Sequence, residues 1–249
     1  MRAVAVVIAS VVATAALPGR ELDPGHLSLP RQGLVGERPG GIVLRDLRGH
    51  VLGHLGGFRV VNLYGPGPRR EVVVAKGRRA QALGEHGLRR IVPPRADWPR
   101  TRSGCHPGPA PYVICGGPYS PKRDASIVYL RGRKLVGPVG KYGGAPHFVG
   151  HWSSIERSPD RWTLLLQWTA ECEIPVAYFA NADGTNLRPV AREPAIESVA
   201  LGWARDGRAV IAFPRGTCGS GRTPPGTYLV DQRMRRATLV FRGFGALWG

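Results

Sequence analysis

Four stretches decide the fold: Ser158-Pro159-Asp160-Arg161 before the apolar run Trp162 to Trp168; Tyr178-Phe179-Ala180-Asn181-Ala182-Asp183-Gly184; Ala204-Arg205-Asp206-Gly207 before Arg208 to Phe213; and Tyr228-Leu229-Val230-Asp231 running through Arg233-Met234-Arg235 to Thr238-Leu239-Val240-Phe241. The first and third are polar turns that release an apolar strand. The second and fourth are hairpins, two apolar strands about a short polar connection; in the second, Gly supplies the positive φ that twisted antiparallel strands require. Asp160 and Asp206 lie 46 residues apart, so the turn-then-strand unit and the hairpin unit alternate at one period.

Further hairpins extend the pattern toward the N-terminus. Val43-Leu44-Arg45-Asp46-Leu47-Arg48-Gly49, Val72-Val73-Val74-Ala75-Lys76-Gly77 and Ile127-Val128-Tyr129-Leu130-Arg131-Gly132 each end on a turn glycine before a second short strand. Gly77 to Gly132 is 55 residues, Gly132 to Gly184 is 52, and Gly184 to Met234 is 50. A repeat of about 40 to 50 residues matches a four-stranded propeller blade, which predicts an all-β propeller of about five blades. The step from Gly49 to Gly77, 28 residues, is too short for four strands. Either an early blade is irregular or degenerate, or one of those two segments is not a hairpin of the repeat. The 35 Gly and 23 Pro are spread along the chain, punctuating many short strands rather than permitting long helices.

The repeats from Trp152 to Phe241 resemble those of TolB-type propellers, a WD-like class found in exported bacterial proteins. The resemblance rests on Ser158-Pro159-Asp160 before an apolar strand and on Tyr178 through Asn181-Ala182-Asp183-Gly184-Thr185-Asn186-Leu187. There are departures: Arg161 occupies a position where the family favours Gly, Arg205 one where it favours Pro, and only the second copy has an aromatic, Trp203, three residues before its aspartate. Asp160, Asp183, Gly184, Asp206 and Gly207 are the repeat-turn residues by this pattern, and Asp46 and Asp231 read the same way. The resemblance implies protein partners in the cell envelope. Motifs of this kind specify turns, not chemistry.

Arg2, the apolar run Ala3 to Ala16 and the small triplet Ala13-Thr14-Ala15 have the layout of a signal peptide, which assigns 1–17 to export and 18–249 to one domain. The run is shorter than the roughly 20 residues a spanning helix needs, and no later stretch could span a bilayer after signal cleavage. Four cysteines, Cys105, Cys115, Cys172 and Cys218, suit an extracytoplasmic chain with two disulfides, for which three connectivities exist. Blade phase prefers Cys172 with Cys218, both following a second strand and preceding a third, and Cys105 with Cys115 closing a short loop through His106-Pro107-Gly108-Pro109.

A formal net charge of +18 provides a field that attracts polyanions. With only Lys76, Lys122, Lys134 and Lys141 among 35 basic residues, the arginine skew is equally an imprint of genomic base composition. No nucleic-acid partner is expected.

The residues that could carry chemistry have plainer roles. His50 with His54 and His147 with His151 have metal-like spacing, but on a strand residues four apart stand about 13 Å from each other. Glu171, Glu173 and Glu156 form a local carboxylate group that suggests a polysaccharide hydrolase, yet the chain has only 17 acidic residues and five of them, Asp46, Asp160, Asp183, Asp206 and Asp231, are explained as turn formers. Gly216-Thr217-Cys218-Gly219-Ser220-Gly221 lacks the second glycine of a nucleophile elbow and runs into Pro224-Pro225. Trp98, Trp152, Trp162, Trp168, Trp203 and Trp248 could stack on a ligand; for the four inside the repeats, packing between sheets is the simpler expectation. The expected protein is therefore a non-enzymatic binding or scaffold protein without cofactor or metal, engaging an envelope protein or an anionic polymer. The hydrolase and the polyanion binder are its rivals.

Overall fold

The computed structural model describes residues 18–62, 72–91, 105–107, 111–115, 127–137, 150–170, 175–190, 197–213, 224–233 and 236–249. Within them the chain is all β, in five four-stranded antiparallel sheets. The first sheet holds β1 (Gly33–Arg38), β2 (Gly41–Arg45) and β3 (Val51–Gly56). The second holds β4 (Phe58–Asn62), β5 (Val72–Lys76), β6 (Arg79–Gly84) and β7 (Gly87–Arg90). The third comprises β8 (Cys105–Pro107), β9 (Tyr112–Cys115), β10 (Ile127–Leu130) and β11 (Arg133–Val136). The fourth comprises β12 (Gly150–Arg157), β13 (Thr163–Ala170), β14 (Pro175–Asn181) and β15 (Arg188–Pro189). The fifth comprises β16 (Val199–Trp203), β17 (Ala209–Phe213), β18 (Gly226–Val230) and β19 (Ala237–Phe241). The last strand, β20 (Gly245–Trp248), returns to the first sheet and pairs with β1, giving the order β20-β1-β2-β3.

The second to fifth sheets are meanders, so their first-to-second and third-to-fourth connections fall at one end, here called the rim, and the second-to-third at the other; in the first sheet β1 to β3 take the second to fourth places after β20, so the β2–β3 turn is its rim turn. This resolves the irregular early spacing. Gly77 turns between β5 and β6, the second and third strands, whereas Gly49, Gly132 and Gly184 turn between third and fourth strands. The second sheet's third-to-fourth turn is instead at Gly87, 38 residues after Gly49 and 45 before Gly132. The second sheet has two tight glycine hairpins in succession, and the expectation had taken the wrong one for the repeat.

The sheets pack through four apolar clusters. One joins the third and fourth sheets, with Ile114, Val128, Trp152, Leu164, Leu166 and Trp168 among its members. Another joins the fourth and fifth, including Leu165, Phe179, Trp203 and Ile211. A further cluster joins the fifth and first, including Leu34, Leu201, Val210, Phe241 and Leu247, and a last one the first and second, including Ile42, Leu44, Phe58, Val74 and Trp248. Successive side chains of a strand point to opposite faces, so Leu164 and Leu166 enter one cluster and Leu165 the next. Strands sandwiched this way read as continuous apolar runs: β16, β17 and β18 are buried at every position.

Rim turns lean on the sheet before. Gly184 approaches the Leu135 carbonyl at the end of β11, and Gly49 approaches the Val240 carbonyl of β19. Ahead of β1, the segment from residue 18 runs along β3: Leu22 N–H donates to the His54 carbonyl and His54 N–H to that of Arg20, at 2.9 and 3.0 Å. Leu22, Leu27 and Leu29 then pack on the core between the first and second sheets.

Candidate functional site

Five aspartates shape the rim turns, each accepting the backbone N–H two residues on: Asp46 from Arg48, Asp160 from Trp162, Asp183 from Thr185, Asp206 from Arg208 and Asp231 from Arg233. This is the Asx-turn, in which a short carboxylate closes the bend that the backbone alone would leave open. Hydrogen bonds from Ser158 Oγ and Trp162 N–H hold the Asp160 carboxyl below its ordinary range, with a further contribution from Gln232. The Asp183 carboxyl is lowered by the Thr185 hydroxyl and N–H. At Asp206, burial opposes ionisation, but the Arg208 side chain and N–H together outweigh it. Gly184 and Gly207 take φ of 85° and 84° in these turns.

Between the fourth and fifth sheets the rim opens into a cavity of about 650 Å³. Pro159 and Asp160 line it on one side, Arg205, Asp206, Gly207 and Arg208 on another, and Asp231, Gln232, Arg233 and Arg236 on the third. Gln232 knits the three turns: its Nε2 donates to Asp160 Oδ2 and to the Gly207 carbonyl, both at 3.2 Å, and its Oε1 accepts from Thr163 Oγ1 at 2.6 Å. Arg188 Nη2 donates to its carbonyl at 2.8 Å. Gln32, just ahead of β1, caps the next turn, accepting from Arg205 N–H and donating to the Trp203 carbonyl.

The charges of this basin are unequally occupied. Arg208 is spent on Asp206, donating from Nε and Nη2 to one carboxylate oxygen at 2.9 and 2.6 Å. Asp231 accepts the N–H groups of Arg233 and Arg236. Among the described residues, the guanidinium groups of Arg205, Arg233 and Arg236 take no part in a hydrogen bond or ion pair, and all three residues are exposed.

The tryptophans divide. Trp152, Trp168, Trp203 and Trp248 are buried, and the first and third also donate from Nε1 to the preceding sheet, at the carbonyls of Gly137 and Glu156. Trp162 departs from the packing expectation: it is 77% exposed, on the rim turn beside Asp160. It is the first residue after the turn, where no neighbouring sheet covers it. Arg161, before it, holds φ of 68°.

Of the three carboxylates that suggested a hydrolase, Glu156 lies within the described residues and Glu171 and Glu173 do not. Glu156 lies near the rim end of β12, while Ala170, the residue before Glu171, pairs with Gly150 at the opposite end. Glu171, Glu173, Cys172, Cys218, His147, Trp98, Met234, the 216–221 segment and the 1–17 segment lie outside the described residues. His50 Nδ1 contacts Asp46 Oδ2 at 2.9 Å, and His54 Nδ1 is buried without a partner. Among the described residues no group of three or more His, Cys, Asp and Glu could hold a metal ion, and no helix is long and apolar enough to cross a membrane. Cys115, at the end of β9, is disulfide-bonded, and its register partner on β8 is Cys105.

Sequence reasoning missed the basin because its parts are scattered: a glutamine after a turn aspartate, and arginines in a chain rich in them. The one usable signal was the pair of departures from the repeat: Arg205 lines the cavity, and Arg161 follows Asp160 in the turn that forms one wall. No protein-family model matches the chain, and no curated protein matches it in sequence.

Proposed function

We propose that this chain is an exported, non-enzymatic binding or scaffold protein of the cell envelope, built as a five-bladed propeller whose rim engages a protein partner. The observation that carries the reading is the order of contact: the clusters join the third sheet to the fourth, the fourth to the fifth, the fifth to the first and the first to the second, so that the fifth sheet packs on the first, which β20 completes. Closed rings of sheets hide their edges and present loops at both ends, which suits recognition better than a single buried site. The TolB-type resemblance of the repeats favours an envelope partner, by fold analogy alone.

The test is capture from an envelope fraction at low salt, with the partner's contact sites identified by cross-linking. A partner cross-linked to the rim turns is the expected result. Failure to retain any envelope protein would overturn the reading. Export is tested by N-terminal sequencing of the secreted chain, which should begin near Pro18, leaving the docked segment at Arg20–Leu22 intact; retention of Met1 would contradict it.

The register of β8 and β9 supports a Cys105–Cys115 bridge. A loop of this size is worth about 3 kcal/mol in the chain-entropy account. Mass mapping without reductant should recover the two cysteines in one linked peptide, and a Cys115 peptide joined elsewhere would exclude the pairing.

A further inference from the structure

We infer that the basin between the fourth and fifth sheets is the docking site for an acidic peptide segment of a partner protein, with Trp162 as the aromatic anchor beside it. The inference rests on the binding-protein reading and names the place and chemistry of recognition.

Three observations carry it. First, the guanidinium groups of Arg205, Arg233 and Arg236 surround an open cavity while the carboxylates beside them are committed to the N–H groups of their own turns. A guanidinium presents a planar fork matched to a carboxylate, and three uncommitted ones around one hollow are a receptor for several acidic groups. Second, the lining is of mixed sign. Asp160, Asp206 and Asp231 stand among the arginines, so a uniform polyanion meets repulsion there, whereas a peptide with spaced carboxylates sets its acids on the arginines and its neutral residues beside the aspartates. Third, the turn that forms one wall carries a 77% exposed tryptophan held next to a left-handed non-glycine residue, Arg161. The equivalent turn at Asp206 uses Gly207 at this position and pays no such strain. Strain of this kind collects at functional sites, and Trp and Arg dominate the energetics of protein interfaces.

The occupant is an extended segment, since a hollow of about 650 Å³ lined by three turns takes a few residues of chain and not a folded domain. The Gln232 network fixes those turns with respect to one another, so the arginines are presented on a preformed frame.

The test uses the full secreted chain and a fluorescein-labelled peptide of alternating glutamate and glycine, read by anisotropy at low salt. Replacing Arg205, Arg233 and Arg236 together by Ser should weaken binding by about tenfold or more. The charge-matched triple Arg59→Ser, Arg79→Ser and Arg90→Ser on the second sheet should change it by no more than about twofold. Trp162→Ala should weaken it by about threefold or more. The triple Arg→Lys variant of the basin guards against misfolding, since it keeps charge without the fork and should bind between wild type and the Ser triple. Equal weakening by the two Ser triples would show that net charge alone attracts the peptide and would overturn the inference. So would inorganic polyphosphate bound more tightly than the peptide through the same arginines, which would mark a polyanion site. Should the envelope partner still be captured by the basin Ser triple, this site fails while the binding-protein reading stands; capture of no partner by the wild type removes both.

Discussion

At Arg161 the backbone is left-handed, with φ of 68°, in a turn whose counterpart one repeat later places Gly207 at 84°. An L-residue with a Cβ pays roughly 1–2 kcal/mol for that conformation, and Gly returns part of it as lost freedom in the unfolded chain. Arg161→Gly should therefore stabilise the protein by about 0.5–1 kcal/mol in urea unfolding; a loss of stability would mean that the arginine side chain contributes more than its backbone costs. Gln167 shows the opposite economy. It is buried in β13 and spans to the fifth sheet, where its Oε1 accepts from Ala200 N–H at 2.7 Å and its Nε2 donates to the carbonyls of Ser198 and Trp168. Gln167→Met keeps the length but strips Ala200 N–H of its acceptor and the Ser198 carbonyl of its donor. A loss of about 2–4 kcal/mol is expected from the orphaned groups, and a change below about 1 kcal/mol would place the real tie between these sheets in the apolar cluster alone. Of these two residues only Arg161 was legible in advance, because it broke a repeat. Gln167 sits in an apolar run, and nothing local marks a polar side chain whose partners on the next sheet lie more than thirty residues away.

Turns of one conformation differ in what surrounds them, and that decides what a substitution costs. Gly132 and Gly184 both close third-to-fourth hairpins with φ near 80°. A Cβ at Gly132 meets nothing within 4 Å, whereas at Gly184 it would stand 2.1 Å from the Leu135 carbonyl oxygen. Gly132→Ala should then cost only the backbone strain, about 1–2 kcal/mol, and Gly184→Ala measurably more, with the third and fourth sheets pushed apart; equal losses in thermal unfolding would refute the close approach. The aspartates of these turns give the rim an acid dependence. Asp46, Asp160, Asp183 and Asp206 are all lowered from the ordinary carboxylate value, so in acid the unfolded chain binds protons that the folded chain refuses. Stability from this source is whole above about pH 5 and is lost as pH falls below about 4, through the lowered folded values. The urea midpoint should be level from neutrality to pH 5 and fall beneath it, and Asp160→Asn should make the fall shallower; an unchanged slope would show that this turn does not discriminate between charge states. Hairpins and turn aspartates were readable from their glycines and spacings because their chemistry is local. The phase of the second sheet was not, since two tight hairpins in succession look alike until pairing distinguishes β5–β6 from β6–β7.

At the scale of the molecule, β20 carries a disproportionate share of the order. It pairs residue by residue with β1 from Gly33↔Trp248 to Gly36↔Gly245. Leu247 belongs to the cluster shared with the fifth sheet, and Ala246 and Trp248 to the cluster shared with the second. Trp248 is fully buried and donates from Nε1 to the Pro30 carbonyl at 3.0 Å. Such a closure is invisible to repeat counting, which compares neighbours in sequence and is blind to a pairing between the two ends. The fifth sheet leans on the first through Leu34 and Leu247, so removing residues 245–249 should open both. Hydrogen exchange of the truncated chain is expected to quicken in β1–β3 and in β16–β19 together, and Trp248→Ala should reproduce the effect in weaker form at about 3–5 kcal/mol. Exchange that quickened in β1–β3 and left β16–β19 at wild-type protection would mean that the fifth sheet stands without the first, and the radial arrangement, with the rim site it organises, would have to be abandoned.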